Sequence, residues 1–169
     1  MIQNQIPNAD EIFAKLAGSK YYSKFDLAKG YWQIPMNNED RDLTTFICHQ
    51  GLFRFTVMPF GLVNAAATFS RVMRRLLRDS SDLDNYLDDV LAHSGNWQEH
   101  LRSLRDFFER VKQANLTLRP TKCEIGEFDV TFLGHKISEN VMQPRTETVD
   151  KVLEAPNLII RNNFELFWV

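Results

Sequence analysis

The sequence predicts an α+β fold in which an antiparallel sheet is backed by two main helices. Apolar side chains recur every three or four residues over about 64–78 and 97–115, the spacing of helices with one buried face. Short runs rich in aromatic and β-branched residues lie before and between these stretches and are bounded by turn residues. Runs joined by such short turns pair antiparallel. A chain of 169 residues fits one domain.

The first elements follow from capping residues and alternation. A short helix is expected after Asn8 or Asp10, because either side chain can cap the apolar stretch that follows. The aromatic, alternating segment 21–27 predicts a strand, and the next three residues, 28–30, predict a turn. The polar segment 37–42 predicts a surface turn or a short helix.

The central part predicts two hairpins, each followed by a helix. Two β-rich runs, 44–48 and 52–58, are separated by a His-Gln-Gly turn and indicate the first hairpin, ahead of the helix over 64–78. Segment 85–94 predicts a second, tight hairpin with two acids in its middle. The helix over 97–115 comes next.

After the helix over 97–115, the sequence predicts two short strands. Residues 116–118 and 130–137 predict strands that flank a loop containing Lys122 and Gly126. The side chains of the preceding helix that are expected to face the core are Leu101, Leu104, Phe108 and Val111.

Composition excludes several classes of protein. The formal net charge of −2 argues against a histone-like polycation, and 44% hydrophobic residues argue against disorder. Cys48 and Cys123 are too few for a disulfide framework, and the four histidines lack zinc-ligand spacing, so structural or surface roles are expected for them. No apolar leader and no long apolar stretch is visible, and we expect a soluble, reduced, intracellular protein that makes no membrane contact.

Three acids interrupt apolar runs at strand ends. Asp88 and Asp89 stand in the middle of the second hairpin, and Asp26 ends the first strand. Adjacent strand residues face opposite ways, so a solvated face explains at most one member of the Asp88–Asp89 pair. Three carboxylates on neighbouring strand ends suit Mg²⁺, which is commonly completed by substrate phosphates. The alternative is that Asp26 caps a turn and the other two lie in a surface loop.

A basic stripe is the second chemical signal. Four arginines fall three, four and seven residues apart on the helix over 64–78 and so share one face. Such a stripe can neutralise backbone phosphates of a nucleic acid, whereas a solvated helix face is the alternative. These residues are Arg71, Arg74, Arg75 and Arg78.

Five segments, in order, resemble the motifs of reverse transcriptases of gypsy-type long-terminal-repeat retrotransposons. The resemblance covers roughly residues 5–156 and implies a partial polymerase palm over 1–156 with an atypical tail over 157–169. Ala66 stands where the family usually has proline. The matching segments are KFDLAKGYWQI (24–34), VMPFGLVNA with ATF (57–65 and 67–69), YLDDVL (86–91), TKCE (121–124) and FLGH (132–135).

The resemblance implies roles for the acids and their neighbours. Asp26, Asp88 and Asp89 would hold two divalent ions, Mg²⁺ or also Mn²⁺, and the carbonyl of Leu27 would complete one shell. Tyr31 matches the aromatic residue that excludes a 2′-hydroxyl. A half-buried core tyrosine is the alternative for that position.

Further roles concern the nucleotide and the primer. Phe60 and Gly61 would line the nucleotide pocket, because only a glycine lets the backbone approach a base pair. Lys122 matches a loop lysine that protonates pyrophosphate, although a solvated lysine is the alternative. The primer grip, a hairpin that positions the primer end, would consist of Phe132, Leu133, Gly134 and His135.

The implied function is RNA-directed DNA polymerisation within a retrotransposon polyprotein. Its partners would be an RNA or DNA template with primer, deoxynucleoside triphosphates, and the fingers, thumb, ribonuclease H and integrase parts of the polyprotein. Expected locations are the cytoplasm, a virus-like particle or the nucleus. The isolated chain is expected to extend primers negligibly, because the resemblance places the fingers and full thumb outside it. The alternatives are a silent remnant that binds nucleic acid and an unrelated Mg²⁺-dependent phosphotransferase, although a Gly-rich phosphate loop is missing.

Overall fold

A four-stranded antiparallel sheet is the framework of the chain, and the computed structural model describes residues 8–139 and 141–144. The strand order is β4-β5-β1-β6. The predicted tail over 157–169 lies outside the described residues. The helices are α1 (Ala9–Lys15), α2 (Ala65–Leu76) and α3 (Trp97–Gln113). The strands are β1 (Tyr21–Asp26), β2 (Phe46–Cys48), β3 (Gly51–Phe53), β4 (Leu83–Tyr86), β5 (Asp89–Ser94), β6 (Glu124–Glu127), β7 (Asp129–Phe132), β8 (His135–Ser138) and β9 (Val141–Pro144).

The two faces of this sheet are covered by different elements. Phe25 and Val90 point towards α2 and α3, where they join a core with Phe69 and Phe107. The other face carries Tyr22 and Leu91, which pack with apolar residues of α1, β7 and β8. The structure therefore confirms an α+β architecture with an antiparallel sheet backed by two main helices.

The amino-terminal helix and first strand form as the sequence predicts. The Asn8 side chain caps α1 by accepting a hydrogen bond from the backbone N–H of Asp10 at 3.1 Å. Ile12 and Leu16 are buried against the sheet. The carboxyl-terminal bounds of α2 and α3 fall within two residues of prediction, because the apolar period ends where the turn residues begin.

The hairpin predicted over 44–58 is shorter than expected. Only β2 and β3 pair, and both strands are exposed. The rest of the second run pairs elsewhere: the N–H of Met58 donates to the carbonyl of Ile34 at 2.9 Å, and Val57 bridges Pro35. The periodic pattern was right, but it does not specify which neighbour a strand selects.

The buried face of α3 is rotated from the predicted one. His100, Leu104, Phe107 and Val111 are buried, whereas the predicted Leu101 and Phe108 are 46% and 41% exposed. Both sets of residues have helical spacing. The buried set was missed because it contains His100, a polar residue that is not expected in a core. The prediction for Leu101 is therefore wrong, whereas Phe108 lies at the margin of the buried face, with its ring centroid 5.5 Å from that of Phe25.

The region after α3 contains four strands, β6 to β9, where two were predicted. Leu118 forms only an isolated bridge with Leu27, so 116–118 is not a strand. Gly126 lies in β6, which pairs with β1, and not in a loop. Gly126 has a φ of 73°, and a Cβ there would come within 3.1 Å of the Trp97 ring, so both backbone conformation and this close approach favour glycine. The segment 130–137 is a hairpin of β7 and β8.

Buried histidines hold polar parts of the core together, as the structural role predicted for them requires. His100 contacts two hydroxyls, Ser23 Oγ at 2.7 Å and Ser94 Oγ at 3.3 Å. His93 lies between Ser19 Oγ and Asp84 Oδ2. Burial would raise the pKa of Asp84, but hydrogen bonds from His93 and Lys15 outweigh it and lower the pKa below its usual value. Within the described residues, helices long and apolar enough to span a membrane are absent.

Replacing Phe107 should destabilise the chain far more than replacing Phe108. Phe107 is fully buried, with its ring centroid 4.5 Å from that of Phe25. Phe107→Ala should lower the free energy of unfolding by about 3–5 kcal/mol because it leaves a cavity. Phe108→Ala should cost about 1 kcal/mol. Urea unfolding measures both, and an equal or reversed order would contradict the observed face of α3.

Acid should weaken the fold through His100. Burial, followed by the charge of His93, lowers the pKa of His100 in the folded state. Its contribution to the free energy of unfolding is thus complete above the unfolded pKa of about 6.5 and is lost as the pH falls towards the lowered folded value. Urea unfolding from pH 8 to 5 should show this decline. His100→Gln keeps an amide for the two hydroxyls and should flatten the curve; an unchanged curve would refute the assignment.

Candidate active site

The acids predicted to act together lie at one end of the sheet. Asp26 and Asp89 are direct partners in the β1–β5 register. Tyr86 pairs with Asp89 across β4 and β5, so Leu87 and Asp88 form the two-residue turn between those strands. Leu87 has a φ of 54°, a left-handed conformation that is strained for a bulky residue. Such strain is concentrated at functional sites.

Strand alternation places Asp26 and Asp89 on the sheet face opposite α2 and α3. Their neighbours Phe25 and Val90 point into the helix-side core. Successive side chains of a strand alternate, so the two acids face the side of β7 and β8. Lys24 shares that side, and its Nζ donates to the carbonyl oxygen of Thr131 in β7 at 3.3 Å. The carboxylates thus open towards the hairpin predicted as the primer grip.

A cavity of about 380 Å³ lies beside these acids. Its wall carries charges of both signs, from two carboxylates and three basic side chains, and it also contains two aromatic rings. A cavity of this charge pattern suits a ligand that is itself anionic and brings cations with it. The lining residues are Asp26, Leu27, Lys29, Gly30, Tyr31, Phe60, Asp88, Arg119 and Lys122.

Two cations hold the carboxylate of Asp26. Lys122 Nζ lies 3.3 Å from Oδ2, and Arg119 Nε lies 3.7 Å from Oδ1. Within 8–139 and 141–144, no group of three His, Cys, Asp or Glu side chains is arranged to hold one metal ion. The structure therefore brings Asp26 beside Asp89 and places Asp88 on the same cavity, but it does not assemble the three into one ligand set.

The donor chemistry nevertheless fits divalent cations. Burial raises the pKa of Asp89, with Lys24 opposing the rise and the charges of Asp88 and Asp26 adding to it. Mutual repulsion among three carboxylates is relieved by a bound cation. The carbonyl oxygen of Leu27 accepts one hydrogen bond, from Gly30 at 3.4 Å, which leaves a lone pair free.

Aromatic residues form the other side of the cavity. The Tyr31 ring centroid lies 5.4 Å from both Phe60 and Phe69. Phe60 is 65% exposed, so its face is free for a ligand. Gly61 has a φ of 90°, and a Cβ there would meet no described atom within 4 Å. Glycine is therefore needed at this position because of the positive φ, and not because a side chain would clash with the described residues.

The predicted primer-grip residues form a tight hairpin. Phe132 pairs with His135 across β7 and β8. The turn residues Leu133 and Gly134 have φ values of 49° and 77°, the positive pair that a type I′ turn needs. Phe132 is fully buried in the sheet core and cannot contact a ligand, whereas Gly134 is exposed and Leu133 and His135 are half-buried.

The basic stripe lies on the helical side of the sheet. Its four arginines, Arg71, Arg74, Arg75 and Arg78, are exposed and together line a pocket of about 270 Å³. None of them forms an ion pair in the part of the chain that the structure describes. Because α2 covers the face opposite Asp26 and Asp89, the sheet separates this stripe from the acids.

Sequence reasoning missed three basic residues of the site. Arg119 contacts Asp26, Lys29 lines the cavity, and Lys24 faces Asp89. Lys24 could have been found from alternation, because it lies two residues before Asp26 on the same strand face. No sequence signal distinguishes Arg119 from other arginines, because its pairing with Asp26 depends on the Leu27–Leu118 bridge, which no local pattern indicates.

Comparison with known proteins identifies relatives among retrotransposon polyproteins. The chain is 39% identical over 153 residues to the retrovirus-related Pol polyprotein from transposon 297 of Drosophila melanogaster, covering 89% of this chain and 14% of that protein. It is 34% identical over 151 residues to the transposon Tf2-3 polyprotein of Schizosaccharomyces pombe, covering 88% and 11%. The chain thus spans about one seventh or less of these relatives. They confirm the resemblance to gypsy-type elements.

Solved structures show the same architecture. The foamy viral protease-reverse transcriptase in complex with double-stranded DNA matches with a TM-score of 0.84 at 26% identity, over 92% of this chain and 28% of that one. The same viral protein in complex with an RNA/DNA hybrid matches with a TM-score of 0.81 at 26% identity, over 92% and 21%. The sequence profile of the family described as reverse transcriptase (RNA-dependent DNA polymerase) matches residues 1–137. The chain therefore belongs to the reverse transcriptase family.

Proposed function

We propose that this chain supplies the palm of an RNA-directed DNA polymerase, which transfers nucleotides to the 3′-hydroxyl of a primer. One observation carries the proposal: the strand register sets Asp26 beside Asp89, at the edge of a cavity that Asp88 and three basic side chains share. The acids can bind cations and the basic side chains can bind phosphates, and this combination suits a nucleoside triphosphate with its metal ions. The foamy viral relatives bound to RNA/DNA hybrid and to double-stranded DNA support template and primer as partners.

The acids would hold the divalent ions. Asp26, Asp88, Asp89 and the Leu27 carbonyl provide the hard oxygen ligands that Mg²⁺ prefers and Mn²⁺ accepts. Two such ions, when bound, activate the primer hydroxyl and neutralise the charge of the leaving pyrophosphate. Release of Asp26 from Lys122 and Arg119 would free its carboxylate for this role.

The remaining residues would orient the reactants. Lys122 and Arg119, once released, are free to contact the triphosphate, and Lys122 could then protonate pyrophosphate. Tyr31 and exposed Phe60 would contact sugar and base, and the open space at Gly61 leaves room for the nascent pair. The turn of the β7–β8 hairpin would hold the primer end over the acids.

A silent remnant that binds nucleic acid is the second candidate. Two observations favour it: Asp26 is neutralised by two cations, and a three-acid ligand set is not assembled among the described residues. Primer extension by a chimeric polymerase separates this candidate from an active palm.

The arginine stripe would bind nucleic acid at a second place. Because α2 packs on the face of the sheet opposite Asp26 and Asp89, Arg71, Arg74, Arg75 and Arg78 would bind phosphates of a strand outside the catalytic cavity. Four guanidinium groups within one pocket, with no carboxylate partner among the described residues, favour such a polyanion.

Asp88→Asn should strongly reduce primer extension. The test uses a chimera in which residues 8–139 replace the matching palm segment of the foamy viral protease-reverse transcriptase. The chimera should extend a primer on RNA and on DNA in Mg²⁺, and Asp88→Asn should reduce the rate by at least roughly 10²-fold, as expected when transition-state charge stabilisation is lost.

Asp10→Asn is the matched control, because Asp10 is exposed on α1 away from the cavity. It should leave extension unchanged. A chimera that folds and binds duplex but does not extend it would instead establish the silent remnant.

Removing two arginines from the stripe should flatten the salt dependence of nucleic-acid binding. For Arg71→Gln/Arg75→Gln, the slope of log affinity against log salt should fall by about two units, because each phosphate that is no longer neutralised lowers it by about one. Fluorescence anisotropy from 50 to 300 mM salt measures it.

The double variant Arg102→Gln/Arg105→Gln makes the same charge change on exposed α3 residues and should leave the slope nearly unchanged. Equal slopes for both double variants would indicate that the stripe is a solvated helix face.

A further inference from the structure

The side chain of Gln33 connects two backbone segments that are far apart in sequence. Its Oε1 accepts a hydrogen bond from the N–H of Thr117 at 2.6 Å, and its Nε2 donates to the carbonyl of the same residue at 2.9 Å. Nε2 also donates to the carbonyl of Ala28. The side-chain amide of Gln33 thus forms the same pair of hydrogen bonds with Thr117 that two directly opposed residues form in an antiparallel sheet.

Each of the two segments carries residues of the candidate site. The single-turn 3-10 helix Gly30–Gln33 contains Tyr31, which forms the aromatic side of the cavity. The segment after Thr117 contains Arg119 and Lys122, the two cations that contact Asp26.

The backbone joins these segments on one side only. The N–H of Ala28 donates to Thr117 at 2.9 Å, and the N–H of Arg119 donates to Asp26 at 2.9 Å. After Ala28 the chain turns away through Lys29, whose φ is 59°. Gln33 restores the connection on the far side of that turn, so the loop that carries Tyr31 is fixed at both ends.

We infer that Gln33 is a positioning residue that fixes the Tyr31 turn against the segment bearing Arg119 and Lys122, and so sets the width of the nucleotide site between them. The inference rests on the proposed polymerase function. A side-chain amide carries a donor and an acceptor on the same carbon and in one plane, and asparagine is one methylene shorter than glutamine. Gln33 touches neither acid nor cavity wall, and therefore acts through Tyr31 and the basic segment.

Gln33→Glu in the same chimera is the sharpest test. Glutamate has nearly the same shape and keeps the acceptor for the Thr117 N–H, but it replaces two donations with repulsion between a carboxylate and two carbonyl oxygens. The ratio kcat/KM for a deoxynucleotide should fall roughly 10²-fold, because displacements near 1 Å have that effect. Discrimination against ribonucleotides should also fall, about tenfold, because Tyr31 is no longer held; a merely structural role would not change sugar selection.

Gln98→Glu is the matched control, since Gln98 is exposed on α3 and undergoes the same chemical change. It should leave both kinetic quantities unchanged. Wild-type sugar discrimination in Gln33→Glu, with the variant as stable to urea as the control, would overturn the inference.

Hydrogen exchange separates this inference from the proposed function. In the 169-residue chain, the Thr117 amide should exchange at least tenfold faster in Gln33→Met, which has no acceptor, than in the wild type. This readout needs no polymerase activity. Unchanged protection of the Thr117 amide would overturn the positioning role of Gln33 even if the chimera were active. Faster exchange of that amide would support the role even if the chimera were inactive.

Discussion

The antiparallel register between β1 and β5 is the constraint on which the rest of the site depends. It sets Asp26 directly opposite Asp89 and fixes the face of every neighbouring side chain. A slip of one residue would turn Asp26 into the helix-side core and bring Phe25 to the surface. The register is held because Phe25 and Val90 are fully buried beneath α2 and α3. Hydrophobic packing on one face thereby determines where charge is placed on the other.

Local pattern was enough to predict most elements. The helices are indicated by their apolar period, the α1 cap by Asn8, and the strand ends that carry the acids by their position beside turns. Because these strand ends belong to neighbouring strands, the acids lie at one edge of the sheet. The motif resemblance then supplied roles for Tyr31, Lys122 and the β7–β8 hairpin, which composition and spacing leave open.

What the sequence could not predict depends on contacts between distant segments. The buried face of α3 was misassigned because His100 is polar, and its burial is explained only by hydroxyls on β1 and β5. The partner of segment 54–58 was misassigned because a strand pattern does not name its neighbour. The ion pairs of Asp26 with Lys122 and Arg119 likewise arise across more than ninety residues of chain.

The separation of the arginine stripe from the acids by a whole sheet has an evolutionary meaning. Two surfaces that share no contacting residues are expected to respond additively to substitution. Selection can then retune the attraction of Arg71 and its neighbours for a polyanion without disturbing the geometry around Asp26. Substitutions of the exposed arginines can therefore change how this surface attracts anions while the arrangement of the acids stays the same, and a protein engineer could adjust salt tolerance on α2 alone.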